Sequence, residues 1–215
     1  MFEVLFVCTA NHCRSPLAEH LLRRRLRQHD LEWSVGSAGT SCADGVPMHA
    51  AAAQLLSERG IDAAGWASRR LTADLIARAD LVLTATEAHR GAVVRARPAA
   101  MSRTYTLMQL AHLLRSRPAG NGLGSDALES SSLDPDTLRP DTYDPKSLGP
   151  GLLSRAVSAR GQVQPMPRGE RDLADPMGQS YPRFLGCAAT IDEALEVLVP
   201  DRPAGAGPVR SVVSP

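Results

Sequence analysis

Val7-Cys8-Thr9-Ala10-Asn11-His12-Cys13-Arg14-Ser15-Pro16 stands between the apolar run from Phe2 to Val7 and a leucine-patterned segment beginning at Leu17. The run is short and mostly apolar, as a central strand buried on both faces requires. Leu17, Leu21, Leu22 and Leu26 recur at helical spacing. Ser15 followed by Pro16 reads as an N-cap and then the residue best tolerated at the first helical position. The stretch is therefore a loop closing onto a helix N-terminus, where free N–H groups and the helix dipole favour an anion.

Cys8 and Arg14 lie six positions apart on this loop. A thiolate persists near neutral pH beside positive charge. A phosphate dianion takes planar bidentate donors and a ring of free backbone N–H groups. The loop offers both at one point, a phosphate cradle with a nucleophile at its base. The spacing alone is weak evidence, because four cysteines and 23 arginines supply roughly 0.4 such pairs by chance. The competing reading makes Cys8 a buried core thiol and Arg14 a surface charge; their place between strand and helix argues against it.

Further along, strands and helices alternate. Glu32-Trp33-Ser34-Val35 alternates polar and apolar as a second strand. Met48 to Arg59 reads as a helix closed by Gly60, and Leu81 to Thr84 as a third strand. A helix follows from Glu87 to Arg97, stopped by Pro98, then a short fourth strand over Arg103-Thr104-Tyr105 and a helix capped by Thr106 that runs through Leu114. Phe184, Ala188, Ile191, Leu195 and Leu198 define an amphipathic last helix. This order implies an α/β fold: one domain, a four-stranded parallel sheet, helices on both faces, and the phosphate-binding loop after the first strand. Ligands in such sheets bind at the carboxyl ends of strands, where Cys8 sits.

The stretch from Val7 to Pro16 resembles the active-site signature of low-molecular-weight protein tyrosine phosphatases, which usually has glycine where this chain has Ala10. Asp172-Leu173-Ala174-Asp175-Pro176 is similar to that family's Asp-Pro loop. Gly36-Ser37-Ala38-Gly39-Thr40, Arg70-Leu71-Thr72 and Ala79-Asp80-Leu81-Val82-Leu83 extend the likeness, which covers residues 2–116 and about 170–199. The resemblance implies a hydrolase acting on phosphotyrosine in proteins through a phosphocysteine intermediate. Cys8 would attack phosphorus. Arg14 and the loop Thr9, Ala10, Asn11, His12, Cys13 and Ser15 would hold the phosphoryl oxygens, with Asn11 anchoring the loop's strained backbone. Ser15 would donate its hydroxyl to the thiolate, and Asp175 would serve as general acid and then base. Asp134-Pro135 and Asp144-Pro145 lie farther from the last helix than Asp175, which is therefore preferred. The family also uses the pair Cys8 and Cys13 as a reversible disulfide.

Two other functions start from the same loop. An arsenate reductase of this fold needs two further cysteines on a mobile segment, and the chain offers only Cys42 and Cys187, which are not so paired. A catalytically silent phosphoresidue-binding module would need a defect that Cys8, Arg14 and Asp175 do not reveal. The expected partner is a phosphotyrosine-containing protein, a tyrosine kinase or its substrate. No cofactor and no metal are implied, since the loop supplies positive charge and no His/Asp/Glu cluster has ligand spacing.

Net charge +1 argues against a polyanion-binding surface, so no nucleic acid is expected. Arg23-Arg24-Arg25 with Arg27 reads as a solvated helix face. Four cysteines without framework spacing, no basic leader and no long apolar run point to a cytoplasmic protein without membrane insertion. Residues 1–199 form the expected domain. The stretch 117–170 departs from the family: 21 of its 54 residues are Pro, Gly or Ser, so it reads as a flexible insertion, or else a lid or docking element. Within it, Gly151 to Arg160 has the pattern of a short helix. Residues 200–215 read as a disordered tail. Met177, after the Asp-Pro pair, and Ser41, Cys42, Ala43 and Asp44 stand where phosphotyrosine enzymes of the family often carry aromatics, which loosens the expected substrate preference.

Overall fold

Phe2–Cys8 forms β1, an inner strand of a parallel sheet ordered β2-β1-β3-β4, in a computed structural model that describes residues 1–115 and 148–200. Its neighbours are β2 (Trp33–Gly39) and β3 (Leu81–Thr84), and β4 (Thr104–Thr106) forms the far edge. Residues of β1 alternate between two cores. Val4, Phe6 and Cys8 join the larger core, whereas Leu5 and Val7 join the smaller one. The all-apolar run is thus explained by burial on both faces.

Helix α1 (Arg14–Gln28) follows the loop and buries Leu17, Leu21, Leu22 and Leu26 against the larger core. The same face receives α2 (Ala50–Glu58), α5 (Leu107–Arg115) and α7 (Tyr181–Leu198). On the other face, Leu75 and Ile76 of α3 (Ala73–Arg78) and Val93 of α4 (Glu87–Ala96) cover Leu5, Val7 and Val82. Pro98–Arg103 winds into a 3₁₀ turn before β4.

Three local expectations are corrected. Ser15 is not the N-cap: α1 begins at Arg14, and Cys13 occupies the cap without a side-chain bond. The Ser15 hydroxyl is instead committed to Cys8 and Asn11. The arginine run is not simply a solvated face, because it ties α1 to its neighbours. Arg23 donates to the Val35 carbonyl and pairs with Glu19, Arg24 donates to the Arg59 carbonyl, and Arg25 donates to that of Val199. Strand β2 runs four residues past the alternating segment, through small residues that pack beside β1. Gly39 at its end is demanded by space: a Cβ there would lie 2.7 Å from the Thr9 carbonyl oxygen.

The expected short helix near Gly151 is α6 (Leu148–Ala159), and it packs on α5 with Leu152 and Ala156 in the larger core. A 3₁₀ turn at Arg168–Glu170 then leads to the Asp-Pro loop. Residues 116–147, which hold Asp134-Pro135 and Asp144-Pro145, and residues 201–215 lie outside the described residues. No helix among the described residues is long and apolar enough to cross a membrane.

Candidate active site

The loop from Thr9 to Cys13 leaves β1 and enters α1 at the carboxyl edge of the sheet. No backbone carbonyl among the described residues accepts from the N–H groups of residues 10–14. These donors converge with the N-terminus of α1, the geometry of an anion cradle. The backbone can turn this tightly because Asn11 adopts φ 55°, a left-handed conformation that asparagine tolerates better than most residues.

Asn11 is held from three sides. Its Nδ2 donates to Ser15 Oγ at 2.9 Å and to Ser37 Oγ at 2.8 Å, and its Oδ1 accepts from the Arg69 N–H at 3.0 Å. The Ser37 hydroxyl in turn donates to Glu19, which also accepts from Trp66 Nε1 and pairs with Arg23. Asn11, Ser15, Ser37 and Glu19 are buried, so breaking any link among them strands a polar group and the network is rigid there. It ends at the sulfur, with Ser15 Oγ 2.9 Å from Cys8 Sγ.

Asp175, 161 residues from Arg14 in sequence, comes to the same place. Arg14 Nη2 donates to Asp175 Oδ2 at 2.5 Å, and Arg14 Nη1 donates to the Leu173 carbonyl at 3.2 Å. The Asp-Pro loop is docked on the sheet by Leu173, whose N–H donates to the Ala85 carbonyl just past β3. Asp172 accepts from the Glu87 N–H, and Arg171 pairs with the Glu87 carboxylate. Asp175 Oδ1 accepts from the Met177 N–H, which fixes the carboxylate within its own turn. The Arg14 side chain is 7% exposed and that of Asp175 46%. One partner is therefore sequestered and the other faces the mouth.

The remaining predicted residues take distinct places. Thr9 is exposed at the rim, and Ala10 and His12 are half-buried. The His12 carbonyl accepts from the His49 N–H, while its Nε2 is buried without a partner among the described residues. Cys13 is buried at the end of the loop, and its thiol donates to Met177 Sδ at 3.1 Å. Burial first, then the neighbouring Cys8, pushes the Cys13 thiol up to about 12. Cys187, on α7, is also buried and is pushed up to about 12 by desolvation. Cys42 lies beside Gly39 and lines an open cleft of about 390 Å³ with Thr40, Ser41, Ala43 and Arg70. Among the described residues no group of three or more His, Cys, Asp or Glu has the arrangement of a metal site. The sequence reading missed His89, whose imidazole Nε2 lies 2.8 Å from Thr9 Oγ1.

The sequence pattern described as low molecular weight phosphotyrosine protein phosphatase matches residues 3–117. The chain belongs to that family. Over 107 residues it is 34% identical to the probable low molecular weight protein-tyrosine-phosphatase EpsP of Ralstonia nicotianae, spanning 50% of this chain and 71% of that protein. It is 39% identical over 108 residues to a protein-arginine-phosphatase of Geobacillus stearothermophilus, spanning 50% and 70%. Among solved structures of the family, the YwlE arginine phosphatase from Geobacillus stearothermophilus superposes with a TM-score of 0.59 at 25% identity, covering 93% of this chain and 91% of that one. The low molecular weight protein tyrosine phosphatase from T. tengcongensis gives 0.63 at 22% identity, covering 93% and 98%, a likeness of fold. The family thus holds members named for two different phosphorylated side chains on one scaffold.

Proposed function

We propose that this chain is a cysteine-dependent phosphatase that hydrolyses phosphotyrosine in proteins, and that Cys8, Arg14 and Asp175 carry the reaction. The observation that carries the reading is the direct contact of Arg14 with Asp175, which joins the cradle to a carboxylate from the other end of the chain. The Cys8 thiolate attacks phosphorus while the bond to the tyrosine oxygen breaks, and Asp175 gives that oxygen its proton. Arg14 and the loop N–H groups hold the equatorial oxygens as charge spreads over them. Asp175, now a carboxylate, takes a proton from the water that attacks the phosphocysteine. The P–S bond breaks, Cys8 departs as thiolate toward the Ser15 hydroxyl, and inorganic phosphate leaves. A bound phosphoryl group competes with Asp175 for the Arg14 guanidinium, so binding frees the carboxyl group for proton transfer. The protein that presents the phosphotyrosine would be a tyrosine kinase or its substrate.

A second reading, phosphoarginine, is favoured by the mouth itself. Met177 is 43% exposed there, and Ser41, Cys42 and Ala43 offer no aromatic wall for a phenyl ring. The test compares wild type, Cys8→Ser and Asp175→Ala on phosphotyrosine and phosphoarginine peptides and on an aryl phosphate with an acidic leaving group. Cys8→Ser should abolish turnover. Asp175→Ala should cost about 10²–10⁴ in rate on phosphotyrosine and much less on the activated aryl phosphate. Equal losses on both esters would remove Asp175 from the acid role. A kcat/KM that favours the phosphoarginine peptide would replace the first reading with the second.

A further inference from the structure

His89 is buried, yet it touches the loop that carries the nucleophile. Thr86 caps α4, and its hydroxyl accepts from the His89 backbone N–H at 3.3 Å. His89 is the third residue of that helix, the position from which a side chain can fold back to the cap. Its Nδ1 lies 2.7 Å from Thr86 Oγ1. The other ring nitrogen, Nε2, lies 2.8 Å from Thr9 Oγ1, on the residue that follows Cys8. The imidazole thus spans the gap between the helix that follows β3 and the cradle that follows β1.

The available acceptors favour one direction for this chain. Thr86 Oγ1 receives a backbone N–H, and Nδ1 is the acceptor within reach of its own hydrogen. Nε2 then carries the ring hydrogen and donates to Thr9 Oγ1. In the opposite tautomer the Thr9 hydrogen would be spent on Nε2, and the Thr86 hydrogen would lose its acceptor. Desolvation, then the positive charge of Arg14, lowers the His89 pKa from 6.5, against the weaker opposite pull of Asp172 and Asp175. Both effects disfavour the imidazolium, in keeping with one accepting and one donating ring nitrogen.

We propose that His89 is a positioning residue that occupies the acceptor side of the Thr9 hydroxyl and leaves its hydrogen to donate to a phosphoryl oxygen at the rim of the cradle. Thr9 is the group that touches substrate, and His89 acts through it. The inference rests on the phosphatase reading for its substrate, but not for its test, because oxyanion binding is measured without turnover.

The experiment is a double-mutant cycle of Thr9→Val and His89→Ala, read as inorganic vanadate affinity and as kcat and KM on an aryl phosphate. Each single change should weaken vanadate binding roughly 10-fold, the scale of one hydrogen bond to a charged group. The double variant should lose little more than either single one, and His89→Gln should recover part of the loss through its amide N–H. Independent, multiplying losses would overturn the proposal. Imidazole nitrogen NMR shifts of the unmutated protein give a second measurement that needs no variant to fold. A protonated Nε2 with bare Nδ1 supports the arrangement, and the reverse tautomer overturns it. A wild type that binds vanadate without hydrolysing any phosphoester would count against the phosphatase reading alone.

Discussion

Cys13 sits on the same tight loop as Cys8, and its chemistry differs because its surroundings do. Its thiol is buried, donates to Met177 Sδ, and is held protonated well above the ordinary thiol range. Cys8 lies instead at the convergence of Arg14, the Ser15 hydroxyl and the helix N-terminus. Peroxide should therefore oxidise Cys8 first, giving a sulfenic acid and hydroxide. Attack by the Cys13 sulfur on that sulfenic acid would release water and leave a disulfide that dithiothreitol reduces. Wild type should recover most of its activity after reduction, with Cys8 joined to Cys13 found by mass spectrometry before it. Cys13→Ser should recover little; equal recovery would leave Cys13 a packing residue. At this scale the sequence singled out Cys8, Arg14 and Asp175 from two motifs far apart in the chain, and the fold brings Asp175 into contact with Arg14. It did not disclose His89. A histidine three residues after a threonine cap looks like any helix start until the fold brings Thr9 against it.

Elements were legible where pattern and burial coincide and obscure where small residues or breakers intervene. The leucines of α1 and the apolar residues of α7 face the core as their spacing requires. Helix α3 went unread because six residues give too few periods to see. The start of α6 was hidden by Gly149 and Pro150, which read as turn formers. Proline is tolerated in a first helical turn. Gly149 serves contact instead, since a Cβ there would come within 2.5 Å of the Phe2 ring. This helix makes the end of the unusual insertion part of the core, and its energetics can be tested. Leu152 is 3% exposed, whereas Val157 on the same helix is 53% exposed. Leu152→Ala should destabilise the protein by about 2–5 kcal/mol, the cost of a core cavity. Val157→Ala should stay within about 0.5 kcal/mol. Equal urea midpoints for the two variants would mean that α6 contributes no core packing.

For the molecule as a whole, the buried titratable groups set a pH window for stability. His20 and His89 are both buried, and desolvation lowers each below its ordinary 6.5. As pH falls through 6.5 the unfolded chain takes up these protons before the folded one, so stability declines on acidification. Above that value both histidines are neutral in both states and their effect vanishes. Cys13 and Cys187 act at the other end, since burial raises each from 9.0 to about 12. Between those values the folded protein keeps protons that the unfolded chain has released, so stability falls as pH rises. Each fully linked proton contributes at most about 1.4 kcal/mol per pH unit. Melting temperature should therefore pass through a plateau between about pH 7 and 9 and decline on both sides. Cys187 lies on α7 without a hydrogen bond among the described residues, so Cys187→Ala removes one of the groups that burial shifts upward, alongside Cys13 and Tyr105. That variant should show a shallower alkaline decline and an unchanged acid one. An alkaline limb of unaltered slope would show that the thiols do not set it.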